Sequence, residues 1–379
     1  MSAPSRRAAR ILVALVAASL SCLIAADAAS ARVPFGFVGV MADGPIAATA
    51  VDPATETAAM VTSGVEGMRV VFHWADAQPS RGAAPTFDRF DPLVRNAAVR
   101  GITVLPVLTT APAWAAKYPG DFASPPAGTA DYAEFVRAAV QRYGPEGSFW
   151  AENTAVPRRP IRAWQIWNEP NLRSSWSDRA WTRPYVALLR AARRAAKGAD
   201  PNARIVLAGL ANFSWRSLAA IYRVDGSRRL FDRVAIHPYT AEVAGIGTIL
   251  RRARRAMNRN GDRRKRLLVT EFGWPSARGK AVGFGIETTE RGQARKATDA
   301  LRLLARERRS LRLEAVYWHD WINTDRGSDS IWPYSGLRRY ETDGSVTSKP
   351  ALRSFRRTAL RLEGCRRKAA VATRCARRR

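Results

Sequence analysis

Short apolar runs punctuate the chain from Phe35 onward: Phe35–Val40, Met68–Phe72, Thr103–Leu108, Ala163–Trp167, Arg204–Ala208, Arg233–Ile236, Leu267–Thr270 and Ala315–Trp318. Each is rich in Val, Ile, Leu or aromatic residues and has the length of a strand buried on both faces. Between them, apolar positions recur every three to four residues over Asp131–Tyr143, Pro184–Lys197, Ile246–Asn258 and Glu290–Arg309, the period of a helix with one buried side. Asp91-Pro92 suits the N-cap and first turn of a further helix reaching Val99, with Gly101 as its stop. A last helix is expected from about Lys349 to Leu362. Eight strands alternating with about eight helices predict an α/β fold, a single (β/α)₈ TIM barrel over residues 32–362. The structural rival, a doubly wound open sheet, carries a Gly-rich phosphate turn after its first strand. Here Gly36-Phe37-Val38-Gly39 lies inside the run instead.

The two ends read differently from this body. Arg6, Arg7 and Arg10 precede an apolar run from Ile11 to Ile24, shorter than a membrane span requires. Ala26-Asp27-Ala28 and Ala29-Ser30-Ala31 both fit small-x-small cleavage, so residues 1–31 are expected to be a secretory signal and the protein secreted, with no stable membrane span. An uncleaved anchor and a lipoprotein modified at Cys22 are the alternatives; lipoprotein signals usually place Leu three residues before the Cys, and Leu20 lies two before it. Cleavage leaves Cys365 and Cys375, an even pair flanking an Arg/Ala-rich segment, and a disulfide closing the basic tail, residues 363–379, is expected.

Charge changes the picture less than its size suggests. The 62 Lys and Arg outnumber the 32 Asp and Glu, for a net charge of +30, but only 7 of those 62 are Lys. Arg-for-Lys usage in an Ala-heavy chain reflects GC-rich codons as much as a phosphate-binding face. A solvated basic surface is expected, with electrostatic contact to anionic cell-wall polymer as a secondary role and no nucleic-acid partner. The three histidines, His73, His237 and His319, are far apart in sequence, and no C-x-x-C or H-E-x-x-H spacing exists, so no metal or cofactor is expected.

In a barrel of this kind, function gathers where strands end at the C-terminal face. Asn168-Glu169-Pro170-Asn171 follows the fourth apolar run, and Glu271-Phe272-Gly273-Trp274-Pro275 follows the seventh. Barrel closure brings those mouths together across the opening. A carboxylate pair flanking a scissile bond is what acetal cleavage needs: one protonates the leaving oxygen and the other, ionised, meets the oxocarbenium-like carbon.

Trp-Asn-Glu-Pro-Asn at 167–171 and Val-Thr-Glu-Phe-Gly at 269–273 resemble the two signature motifs of the large clan of retaining glycoside hydrolases with (β/α)₈ barrels. That clan includes cellulases, mannanases, β-xylosidases and β-1,3-glucanases. The run Glu271-Phe272-Gly273-Trp274-Pro275-Ser276 also resembles the nucleophile motif of β-1,3-glucanases, and the likeness spans roughly residues 35 to 350. The resemblance implies Glu169 as acid/base and Glu271 as nucleophile. It further implies Arg69 as the arginine that holds the nucleophile, Asn168 as the ligand of the sugar's 2-hydroxyl, His237 and Tyr239 as a His-x-Tyr pair whose tyrosine orients the nucleophile, and Trp318 as the sugar-ring platform. His73, Trp74 and Trp114 follow strands two and three and are candidates for the cleft wall; Trp150, Trp176, Trp181, Trp215, Trp321 and Trp332 are read mainly as core or loop anchors. The expectation is a retaining glycoside hydrolase, β-linked in its substrate preference, acting on an extracellular poly- or oligosaccharide. Its rivals are a carbohydrate-binding barrel without turnover and a basic cell-surface adhesin; the carboxylate pair, not the fold, decides among them.

Overall fold

A computed structural model of the chain describes residues 32–327, 329–364 and 371–373. Eight strands run in parallel, each paired to the next: β1 (Val38–Met41), β2 (Gly67–His73), β3 (Thr103–Thr109), β4 (Ala163–Asn168), β5 (Arg204–Gly209), β6 (Arg233–Ile236), β7 (Arg266–Phe272) and β8 (Leu313–Trp318). β8 closes on β1 with Val38 opposite Val316 and Val40 opposite Trp318, so the sheet has no edge and the expected (β/α)₈ barrel is formed. Each strand falls on one of the apolar runs, with ends shifted by up to three residues at β1 and not at all at β6; Glu271 belongs to the end of β7 itself.

Among the described residues, ten α-helices flank the strands: α1 (Pro53–Thr62), α2 (Trp74–Ala77), α3 (Asp91–Arg100), α4 (Ala130–Tyr143), α5 (Ser148–Glu152), α6 (Thr182–Ala199), α7 (Ser214–Tyr222), α8 (Val243–Arg259), α9 (Glu290–Leu311) and α10 (Pro350–Glu363). The periodic ones bury the expected faces. In α6 these are Tyr185, Leu188, Leu189, Ala192 and Ala196, set against the outside of the barrel. Helix α1 escapes the periodicity test because it is short and Ala/Thr-rich. Asp52-Pro53 marks its start: the Asp52 carboxylate accepts the N–H groups of Ala54 and Thr55 at 3.1 and 3.0 Å. Asp91, by contrast, is the first helical residue of α3 and not its cap. Its carboxylate accepts instead from Tyr143 and Arg142 on α4. Gly101 ends α3 at φ 73, as expected.

The main core lies between strands and helices. Inside the barrel, Leu105, Val206, Ala235, Leu268, Ala315 and Tyr317 form a smaller cluster. The Tyr317 ring needs glycine on the facing strands, since a Cβ at Gly39 would lie 2.5 Å from its Cδ1. This plug closes the barrel below the site.

After β8 the chain adds a small sheet, with β9 (Ile322–Asn323) parallel to β10 (Arg338–Tyr340) and β10 antiparallel to β11 (Val346–Ser348). A buried lysine ties this excursion to the barrel. Lys349 Nζ donates to Ser276 Oγ at 2.7 Å, to Asp325 Oδ1 at 2.9 Å and to the Tyr334 carbonyl at 3.0 Å. That fixes the loop carrying Trp332 over the mouth of β7. Beyond the boundary drawn at residue 362, α10 continues to Glu363, and Ala372 is buried with its N–H on the Arg100 carbonyl at 2.7 Å. The signal run, Cys365 and Cys375 lie outside the described residues. No helix among those described is long and apolar enough to cross a membrane.

Candidate active site

The C-terminal ends of the strands open into a cleft of about 1030 Å³. Glu169 and Glu271 both line it. With His237 they place one oxygen or nitrogen each within 4.8 Å of one another.

Glu271 is held by charge and by hydrogen bonds. Arg69, fully buried on β2, donates from Nη1 to Glu271 Oε1 at 2.7 Å and from Nη2 to Asn168 Oδ1 at 2.7 Å, while its Nε reaches Gln165 Oε1 at 3.2 Å. Tyr239 donates its hydroxyl to Glu271 Oε2 at 2.9 Å. Burial alone would raise the Glu271 pKa, but His237, Arg69 and His319 nearby and the Tyr239 hydrogen bond outweigh it and hold the carboxyl at about 2. Tyr239 shifts the other way. Burial first, then the charges of Glu271 and Glu169, push its phenol well above 10, so it keeps its proton and stays a donor.

Glu169 sits just past β4 in a different setting. Its backbone is left-handed at φ 42, as is Trp167 at φ 66, a conformation that non-glycine residues adopt under constraint. The constraint is visible: the Glu169 N–H donates to the Gly209 carbonyl at 3.0 Å, and Gln165 Nε2 and Trp167 Nε1 are bonded to the Trp167 and Ser175 carbonyls. The side chain, 15% exposed against 8% for Glu271, pairs through Oε1 with His237 Nδ1 at 2.7 Å. With Glu169 ionised, Nδ1–H is the donor and Nε2 accepts the Thr270 hydroxyl at 2.9 Å. Gly209 makes room for this ring; a Cβ there would overlap His237 Nε2.

Glu169, His237 and Glu271 are also the described residues whose ligand atoms lie close enough together to hold a cation. Their closeness has a simpler cause: every one of those side chains is already hydrogen-bonded to another group of the network, and Arg69 supplies a positive charge beside Glu271.

No family model matches the chain, and no curated protein does. Solved structures do match. A family 39 glycoside hydrolase from the gut symbiont Bacteroides cellulosilyticus WH2 superposes with a TM-score of 0.63 at 20% identity, over 87% of this chain and 64% of that longer one. GH5_18 from Streptomyces cattleya, solved with GlcNAc, gives 0.62 at 17% identity, over 87% and 80%. The GH53 catalytic domain of Ignisphaera aggregans gives 0.58 at 22% identity, over 86% and 96%. What is shared is the fold.

Most residues singled out in the sequence converge here. Glu169, Glu271, Asn168, Tyr239 and His73 line the cleft, with Arg69 and His237 packed directly behind the two glutamates. Trp318 does not. It is fully buried, edge-on to Phe272 at 5.4 Å, with Nε1 on the Ser335 carbonyl at 3.2 Å, so it cannot be a sugar platform. The aromatic wall at that point is Trp332, 4.9 Å from Tyr239 and 5.5 Å from His319. Trp74 and Trp114 likewise pack on each other at 5.4 Å and outside the cleft. Phe122 and Phe284, 72% and 74% exposed, stand at its rim.

Two further carboxyl groups and a histidine were missed. Asp43 follows β1 and lines the cleft; Asp320 follows β8 and is buried. Burial pushes the Asp43 carboxyl up to about 6, with the charge of Glu271 adding to the rise and the Val71 N–H and Arg69 opposing it. Burial and the charge of Asp43 push Asp320 well above the usual carboxylate range. His319 lines the cleft beside them, and burial keeps its imidazole below its ordinary value and neutral. The signal that found Glu169 and Glu271, a polar residue just past a strand, also marks Asp43, His319 and Asp320.

Proposed function

We propose that the protein is a retaining β-glycosidase acting on a poly- or oligosaccharide, and that it is exported to do so. The observation that carries this is the carboxylate pair. An oxygen of Glu169 and one of Glu271 lie within 4.8 Å, in keeping with the ~5–5.5 Å spacing of retaining enzymes and short of the ~6.5–9.5 Å that an inverting pair leaves for water. The two also have the opposed surroundings that double displacement requires: Glu271 fixed as an anion, Glu169 more exposed and hydrogen-bonded to an imidazole.

Glu271 attacks the anomeric carbon as Glu169 gives its proton to the departing glycosidic oxygen; the C–O bond to the leaving group breaks as the ester bond to Glu271 forms. Glu169, now ionised, takes a proton from water, whose oxygen attacks the same carbon and releases Glu271. Inversion at each step returns the original configuration. Arg69 and Tyr239 fix Glu271 for in-line attack, and His237 holds Glu169 on the opposite side of the bond. Asn168, with its Oδ1 taken by Arg69, has its amide N–H groups for the sugar's 2-hydroxyl, where a hydrogen bond strengthens in the transition state. The glycoside hydrolases with this fold support the assignment by analogy.

The signal reading of residues 1–31 and a Cys365–Cys375 bridge belong to the same proposal, since export is where such a bridge persists. Reducing-sugar release from a panel of glycans, wild type against Glu271→Gln, tests the function. Release by the wild type and none by the variant is expected. Binding without release by the wild type would leave a non-catalytic barrel.

A further inference from the structure

The mechanism leaves two polar groups unused at the β1–β8 wall of the cleft. Asp43 Oδ1 accepts the Val71 N–H at 3.1 Å, and its Oδ2 has no hydrogen-bond partner among the described residues. His319 is anchored by its backbone N–H on the Phe272 carbonyl at 2.9 Å, one residue past Glu271. Its ring lines the cleft beside Tyr239 and Trp332; Nδ1 is buried, and Nε2 makes no hydrogen bond among the described residues, which leaves it to the cleft. A cleft wall that presents one carboxylate oxygen and one imidazole nitrogen, neither bonded to the protein, offers a ligand's hydroxyl groups two hydrogen-bond partners.

That ligand must also fit beside Glu271, whose charge both groups feel. We propose that Asp43 and His319 are specificity-determining residues that hydrogen-bond hydroxyls of the sugar ring attacked by Glu271, and that they restrict this subsite to a neutral, hydroxyl-bearing ring and exclude a uronic acid. The proposal rests on the glycosidase function above. A carboxylate only accepts, so Asp43 accepts a hydrogen bond from a hydroxyl; a neutral imidazole offers one N–H and one lone pair, so His319 can take a hydroxyl in either sense. A uronate in the same place would set its charge against Asp43 and Glu271. Arg69 could not answer it, being engaged by Glu271 and Asn168; the cleft-lining Arg89 is paired with Asp76 at 3.2 Å, and the exposed Arg173 follows β4, across the cleft from the β1–β8 wall.

The experiment is a cycle between protein and substrate. Wild type, Asp43→Asn, His319→Ala and His319→Gln are assayed on nitrophenyl glycosides of neutral hexoses and pentoses and on the glucuronide. The best substrate is then replaced by its 3-, 4- and 6-deoxy analogues, with thermal unfolding confirming that each variant is folded. Asp43→Asn and His319→Ala are expected to lower kcat/KM on the parent glycoside about 10- to 100-fold. The analogue lacking the hydroxyl that each residue holds should be poor for the wild type and no poorer for the variant. His319→Gln, which keeps a donor and an acceptor, should recover part of the loss. A uniform loss on the parent and every analogue, or a wild type that prefers the glucuronide, overturns the proposal. A wild type active on neutral glycosides with variants equal to it overturns this proposal alone; a wild type active on no glycoside removes the glycosidase function and this proposal with it.

Discussion

The cleft holds two carboxyl sites that differ in one respect. At the β2–β7 side, Glu271 is buried against a guanidinium, a phenol and an imidazole, and stays ionised down to about pH 2. At the β1–β8 side, the half-buried Asp43 stands near the buried Asp320; Arg69 lowers Asp43 only in part, and its carboxyl is held up at about 6. The same side-chain chemistry thus produces a fixed anion in one place and a carboxyl with a raised pKa in the other. Burial does not set the state of a carboxyl group; the partners buried with it do. A nucleophile needs the first arrangement. A wall that reads hydroxyl groups is served by the second.

The comparison is broken most severely by removing the anion. Glu271→Ala should lower turnover at least about 10⁴-fold on every substrate, because no glycosyl ester can form. Added azide, attacking the substrate directly, should restore some turnover with a product of inverted configuration.

Glu169→Ala should lose about 10²–10⁴-fold on natural substrates, which need protonation of a poor leaving group. With a nitrophenyl glycoside the first step should survive and azide should intercept the intermediate, giving a product of retained configuration. The opposite pairing of variants and product configurations would reverse the two roles.

Arg69→Met leaves Glu271 buried without its cation. Denaturant unfolding should show a loss of about 3–5 kcal/mol, as expected when one partner of a buried ion pair is removed. The nucleophile's pKa should rise with it, moving the acid limb of kcat/KM upward.

Asp43→Asn should act in the other direction on stability. Because burial holds the Asp43 carboxyl at about 6 in the folded state, above its ordinary value, the folded state binds this proton more tightly; the penalty on folding grows as pH rises toward 6 and is complete above it. The variant should therefore be more stable than the wild type by on the order of 1–3 kcal/mol at pH 8, with the difference vanishing as pH falls below 4. The effect of opposite sign at two groups of one cleft is the sharpest form of the contrast.

The smallest effect belongs to the tail. Mass spectrometry of the non-reduced mature chain should find Cys365 bridged to Cys375, and reduction should leave turnover unchanged, since the bridge spans few residues far along the chain from the site.

The barrel was legible because strands buried on both faces are apolar throughout, and eight such runs are hard to place otherwise. The same property hid half of the site. In a strand without polar alternation, nothing tells which of two neighbours faces the cleft: the pattern points to Trp318 as the platform, whereas its successor, His319, faces the cleft and Trp318 packs against Phe272. Glu169 and Glu271 stood out through the residues around them. Asp43 and Asp320 had no such context: their meaning comes from β1 lying beside β8, a contact across almost the whole chain that exists only once the barrel closes. Trp332 reached the cleft through the sheet inserted after β8 and the buried Lys349, neither of which leaves a periodic pattern.

The claim on which the rest depends is that Glu271 becomes covalently bonded to sugar. A 2-deoxy-2-fluoro glycoside with a good leaving group slows both steps by destabilising the oxocarbenium-like transition state, and the leaving group preserves the first, so the intermediate accumulates. Incubation of the wild type with such glycosides, followed by peptide mass spectrometry, should find one fluoroglycosyl unit on the peptide containing Glu271 and none on the peptide containing Glu169. An unlabelled Glu271 in an enzyme that hydrolyses the parent glycoside, with a product of inverted configuration, would contradict it.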